Sequence, residues 1–296
     1  MTLGFEEIAI AFRNCNGDAK FSFKTYLKEI DKQKSDYEKG FIISDANNYI
    51  LADIEKLLSK AILNICTTDY LIKNGYFSWG FVTSYYANFF LIQGLNRTQL
   101  KFITFVDRAI DCLFQSYQER TMDIKAIDIS TKQHKREFDR FFENFKDFRN
   151  RTGIDRYWNI GVRPFELGVE HEIRNDINYG ISDDAFYELD LDFRAFNKII
   201  KDNSNSPFDK PREDSEKVNY ARKNLKLAIA RLRMLTYTLN IIAIRNSEYE
   251  SYYKRNMKNR LVSIEEKYIN LSEWINKHFH DWFIFDSELV DKEEIE

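Results

Sequence analysis

The stretch TQLKFITFVDRAIDCLFQSYQE, residues 98–119, is the one on which the fold class turns. It reads as a helix, and with that reading the chain is all-α. The segment after it, TMDIKAIDIS at residues 121–130, shows a partial alternation of apolar and polar positions and is the only stretch suited to a strand or an extended insertion. The preference for helix rests on composition. Ten Gly and three Pro in 296 residues leave few turn signals, and Leu, Ile, Lys, Glu, Asn, Phe and Tyr recur in long unbroken runs.

The neighbouring segments carry helical periodicity. FSWGFVTSYYANFFLIQGL, residues 77–95, puts Phe81, Val82, Tyr85, Phe89 and Ile92 on one face, which predicts burial there. Gly80, Ala87 and Gly94 repeat every seven residues on the opposite face and predict close helix contact. Before it, SDANNYILADIEKLLSKAILNIC, residues 44–66, spaces Ile50, Leu51, Ile54, Leu57, Leu58 and Ile62 at helical intervals, with Ser44 and Asp45 as candidate N-caps. Residues 1–40 hold two short amphipathic stretches, 6–13 and 21–34, divided by the turn-like NCNGD.

On the C-terminal side, KQHKREFDRFFENFKDF, residues 132–148, returns to helical spacing with its basic residues in the first half. A connection over 150–165 contains Trp158, and its Pro164 is suited to the first turn of the next helix. A helix over 189–201 leads into DNSNSPFDKPRED, the strongest loop signal, and the longest periodic run follows at 213–245. Ser263 followed by Glu266 fits a capping box in a helical tail. The expected organisation is an N-terminal helical extension over 1–40, a helical core over 41–245 and a C-terminal helical extension over 246–296.

Bulk properties narrow the function classes. The chain is 44% hydrophobic, enough for a proper core, and its net charge of −3 lacks the basic excess of many non-specific nucleic-acid binders, so any RNA contact is local. No run of about 18 apolar residues and no leader-like N-terminus is evident, which predicts a cytoplasmic protein with no membrane span. Cys15, Cys66 and Cys112 are scattered and odd in number, which predicts buried or idle thiols.

EHEIRNDINYG, residues 170–180, concentrates chemistry. His171, Arg174, Asn175 and Asn178 fall at i, i+3, i+4 and i+7 on one helical face, with Val169, Ile173 and Ile177 opposite. A polar strip of this kind is ordinary on a surface helix, but a planar guanidinium beside amides also suits a phosphate or a partner carboxylate.

TSYYANFF, residues 83–90, resembles the YYA helix of the HEPN superfamily (higher eukaryotes and prokaryotes nucleotide-binding domain). RNDINYG, residues 174–180, resembles that family's later helix, in which an Arg precedes a polar residue and, after a short gap, a His. The order of elements over roughly 41–245 is similar as well. The resemblance implies an antiparallel helical bundle that dimerises across the Arg helix, and in active members metal-independent RNA cleavage with no cofactor. Arg174 and Asn175 match the Arg and polar positions, Arg174 holding the scissile phosphate. The His position is not matched: the family gap ends on Tyr179, Gly180 or Ile181, and no His follows until His278. Tyr179, or His171 one turn before Arg174, is left as the proton donor, with Asn178 on the same face.

Two readings stay open. One is an RNA-directed effector of the toxin or antiviral-defence type, an endoribonuclease with an Arg-Asn-x3-Tyr site. The other is a non-catalytic subunit whose same face binds a protein partner, such as an antitoxin, or a nucleotide. Arg222, Lys226 and Arg233 lie within about 40° of one another beside Leu225, Ile229 and Leu232, as a stripe for an RNA backbone or as side chains snorkelling over a helix interface. HKREF at 134–138 and YYKRNMKNR at 252–260 are further basic patches. His278 with His280 and Asp190 with Asp192 are poor metal pairs, so no metal site is expected. Walker A, dinucleotide, GxSxG and HExxH signatures do not occur.

Overall fold

A computed structural model describes residues 3–30, 32–128, 133–147, 160–163, 174–175 and 216–267. Its centre is a helical hairpin. α4 (Asn47–Lys73) and α5 (Phe77–Thr98) are joined through Gly75, whose φ of +86° is open to glycine at little cost. The predicted apolar face of α5 is buried throughout, Phe81, Tyr85 and Ile92 completely. Its small-residue face is used too. A Cβ on Gly80 would stand 3.0 Å from Ile72 Cγ1 of α4, and one on Gly94 2.9 Å from Leu235 Cδ2 of the long helix α7 (Glu216–Ile244). α5 is thus enclosed by helices on both sides. α7 is long and apolar enough to cross a membrane, but its qualifying window, Ala221–Ile244, is mostly buried in this core.

The all-α expectation is corrected here. Residues 98–119 are not a helix: α5 ends at Thr98, and β2 (Lys101–Val106) and β3 (Arg108–Ser116) follow. With β4 (Thr121–Ile127) and β1 (Phe41–Ser44) they form an antiparallel sheet in the order β1-β4-β3-β2, so the protein is mixed α and β. Left-handed residues make the corners, Leu100 between α5 and β2, Asp107 between β2 and β3, and Arg120 before β4. The helical reading failed because Phe102, Ile103 and Thr104 are all buried in succession. A strand covered on both faces loses its alternation and cannot be told from a buried helix by periodicity. Only β4, which keeps some alternation, was legible as extended structure.

α1 (Phe5–Ala11), α2 (Phe23–Glu29) and α3 (Lys34–Lys39) precede the sheet, and Leu3, Ile8, Phe12, Phe23 and Leu27 are buried in the same cluster as the hairpin. Phe23 meets Phe102 edge-on at 5.3 Å. α4 starts after Ala46, with Ser44 in β1 and Asp45 paired to Arg120 rather than capping. α8 (Ser247–Lys267) runs through Ser263, so no helix begins there. Its Tyr249 hydroxyl bonds the buried carboxylate of Glu55 on α4.

A buried polar network joins hairpin and sheet. Asn96 of α5 donates to the backbone oxygen (3.0 Å) and Oε2 (2.9 Å) of Glu137, on α6 (Gln133–Asn144), and Asn144 donates to Asn96 Oδ1 and to the Lys101 carbonyl of β2. Arg97 lies 4.6 Å from the Phe102 ring centroid and 3.9 Å from Asp53. Arg140 of α6 grips both carboxylate oxygens of Asp111 on β3 at 2.8 and 2.9 Å.

Two predictions follow from burial. Desolvation pushes the Cys15 thiol up to about 11 and the Cys66 thiol up to about 12, and raises Cys112 well above the ordinary range. The thiolate is the reactive form, so native protein at pH 8 should resist a thiol reagent and denatured protein should titrate three thiols. Burial also raises the Glu137 carboxyl above its ordinary 4.5, against the pull of Arg97. The folded state therefore holds this proton more tightly than the unfolded chain. The associated stability is present below about pH 4.5 and is lost as pH rises through the raised value. Glu137→Gln removes the titration, so its stability relative to wild type should increase from pH 4 to pH 7 in denaturant unfolding.

Candidate active site

α5 presents two consecutive tyrosines in its middle turns. Tyr85 is fully buried and Tyr86 half-buried, because consecutive helical positions differ by about 100° in direction. α6 brings His134 to them from its first turn. His134 Nδ1 lies 2.7 Å from the Tyr85 hydroxyl, and its ring is parallel to Phe89 at 4.0 Å between centroids. Phe138, one turn further along α6, stacks on Tyr85 at 5.9 Å. The layer is thus a pile of flat rings shared by two helices, in which offset parallel contacts each contribute about 0.5–1.5 kcal/mol beyond area burial.

Arg174 closes this layer. Its guanidinium carbon is 5.3 Å from the Tyr85 ring centroid and 6.0 Å from that of Tyr86, within cation–π range. The residue is half-buried, and its Nε is enclosed without a hydrogen-bond partner among the described residues. The adjacent Asn175 is exposed. Tyr85 and Tyr86 of the first motif and Arg174 of the second are therefore in contact. His171, Asn178 and Tyr179 lie outside the described residues.

A second polar layer sits beneath the rings. Asn88 Nδ2 donates to the Ser84 carbonyl and to both oxygens of Asn224 on α7, and Asn224 Nδ2 donates to Ser84 Oγ at 3.0 Å. The fully buried Arg231, two turns beyond Asn224, donates from Nη1 to Asn88 Oδ1 at 2.9 Å. Its Nε and Nη2 reach the carbonyls of Gly161 and Arg163 at 3.0 and 3.1 Å. Its guanidinium also lies 5.4 Å from the Phe141 ring. One side chain thereby pins residues 160–163 to α5 and α7.

Of the expected backbone-binding stripe, Lys226 is exposed and Arg222 and Arg233 are half-buried, on the side of α7 away from Asn224 and Arg231. Among the described residues no three His, Cys, Asp or Glu side chains gather into a metal-binding group. His134 was visible in the sequence only as part of a basic patch, and Ser84, Asn88, Asn224 and Arg231 were not singled out. Their signal is polar identity on an apolar face: Ser84 and Asn88 are four apart on α5, Asn224 and Arg231 seven apart on α7. Comparison with protein-family models, curated proteins and solved structures finds no match for this chain.

Removing Arg231 should be severe. Arg231→Ala strips three acceptors of their donor and opens a cavity, and is expected to cost about 3–5 kcal/mol in guanidinium unfolding. Arg231→Lys should recover little of this, since an ammonium cannot span the same three acceptors with a planar fork.

Proposed function

We propose that the protein is an RNA-directed effector of the toxin or antiviral-defence type that cleaves RNA without a metal ion or cofactor, acting as a cytoplasmic homodimer. The observation that carries this reading is Arg174, stacked over Tyr85 and Tyr86 with its Nε buried and unbonded among the described residues. An enclosed guanidinium N–H without an acceptor costs about 1–3 kcal/mol or more. A phosphate oxygen supplies both the acceptor and the counter-charge, in the charge-assisted geometry for which guanidinium is suited.

On this reading Arg174 anchors the scissile phosphate and offsets the negative charge that grows on its oxygens as the ribose 2′-oxygen attacks phosphorus. Tyr86, half-buried beside it, offers a ring face on which a base can stack. Asn175, exposed next to Arg174, is in reach of solvent-borne polar groups of the strand. Lys226, with Arg222 and Arg233, adds sequence-independent contacts to the RNA backbone.

The test is purified full-length protein incubated with total RNA and with tRNA in EDTA, beside Arg174→Ala. Wild-type cleavage reduced about 10²–10³-fold in the variant, with an unchanged thermal transition, is the expected result. Equal inactivity of both proteins overturns the nuclease reading. In that event the same Arg174 face is the docking point of a protein or nucleotide partner.

A further inference from the structure

The outer face of α5 carries rings where a helix surface ordinarily carries charge. Trp79, Tyr86 and Phe90, at i, i+7 and i+11, share a direction within about 40°. Trp79 is 49% exposed and the other two are half-buried, so these rings line a surface, where clustered apolar area marks a binding site. Cations flank them. Lys60, exposed on α4, sets its Nζ 5.4 Å from the Phe90 ring centroid, Phe90 lies 6.4 Å from Tyr86, and the Arg174 guanidinium is 6.0 Å from Tyr86. Neither helix offsets these charges with an exposed carboxylate. α5 has no acidic residue, and of those on α4 Asp53 faces Arg97 at 3.9 Å, Glu55 is buried, and Asp69 binds Lys73 at 2.7 Å. In a chain of net charge −3, this face is locally basic.

We propose that this face is the track of an unpaired RNA strand, whose bases stack on Trp79, Tyr86 and Phe90 and whose phosphates are held by Lys60 and Arg174. The inference rests on the reading of Arg174 as a phosphate anchor and adds the substrate class, single-stranded RNA. A single strand presents flat base faces and a phosphate at every step, and rings interleaved with cations match both at once. A duplex keeps its base faces inside the helix and offers none to the rings. A second copy of the chain fits less well, since two such faces brought together would set Lys60 and Arg174 against like charges with no exposed carboxylate of α4 or α5 opposite. From Trp79 to Phe90 the helix rises about 16 Å, which matches about five nucleotides at a stacked spacing of about 3.4 Å. Tyr86, beside Arg174, falls between the two ends, so the anchored phosphate has bound bases on both sides.

The experiment follows the fluorescence anisotropy of a labelled 2′-O-methyl octaribonucleotide, in which the attacking hydroxyl is blocked, as single strand and as blunt duplex, with the full chain. The wild type should bind the single strand more tightly. Trp79→Ala should weaken that binding about 5- to 150-fold, and Trp79→Phe, which keeps a ring, should retain most of it. Lys60→Ala should lower the slope of log affinity against log salt by about 0.7. Both positions are exposed, so the thermal transition should not move. Equal affinity for the duplex, wild-type affinity in Trp79→Ala, or no binding of either strand overturns the track. So does a dimer in analytical ultracentrifugation that Trp79→Ala dissolves without loss of RNA affinity, which assigns the face to a second copy. Cleavage of total RNA that is abolished by Arg174→Ala and unchanged by Trp79→Ala sinks the track and spares the nuclease reading, whereas Trp79-dependent binding without cleavage does the reverse.

Discussion

The guanidinium of Arg231 is the constraint around which the described structure closes. It is fully buried, and a charge out of water must find its hydrogen-bond acceptors in the protein or cost several kcal/mol. Those three acceptors come from two segments: the Asn88 side chain on α5, and the carbonyls of Gly161 and Arg163. Both segments are remote from Arg231 in sequence, so satisfying the charge requires α7, α5 and residues 160–163 to dock together. Asn88 can receive Arg231 because its own amide is already committed to Asn224 and to the Ser84 carbonyl, which fixes the orientation of its oxygen. The result is a specific longitudinal register between α5 and α7, where apolar contacts alone would tolerate a slip. The close fit of Gly94 against Leu235 enforces the same register sterically.

α5 transmits that register to the candidate site. One face carries Asn88 and Ser84 toward α7, another Tyr85 and Phe89 toward α6, and its last turns carry Asn96 toward α6 and Arg97 toward the sheet. Because Tyr85 is fully buried between α5 and α6, its ring has little freedom, and the groups resting on it are preorganised by packing. This is the physical condition for useful electrostatics at a site, since dipoles held in advance need no reorganisation when charge develops. The sheet contributes indirectly. By holding α6 through Asp111 and Arg140 and through Lys101 and Asn144, it sets where the first turn of α6, and hence His134, lies.

Much of the helical frame was legible in the sequence. The segments 77–95 and 213–245 correspond to α5 and α7 within three residues, 44–66 lies on α4, which runs on to Lys73, and the two faces of α5 behave as their spacing predicts. Arg174 stands beside the tyrosines of 83–90, a contact that the spacing within neither motif announces. Illegible was the region 98–119. Its first strand buries Phe102, Ile103 and Thr104 in succession, and the corner residues Leu100, Asp107 and Arg120 adopt left-handed backbone without the glycines that normally announce it. The same limit hid the polar core. Glu137, Arg97 and Arg231 look like solvated charges on helices until tertiary packing places them inside, because charge is read from the sequence as exposure unless a partner is in view.

By itself, then, the sequence determined the local elements governed by short-range periodicity: which segments coil into helices, which of their faces are apolar, and where small residues permit close approach. Tertiary structure decided the rest. It decided that 98–119 pairs as strands, that Arg231 and Asn88 bind each other across 143 residues of chain, and that His134 shares Tyr85 with Arg174. Those outcomes depend on which surfaces cover a segment and which partner meets a buried polar group. Both are contacts between residues remote in sequence, and no window of neighbouring residues contains them.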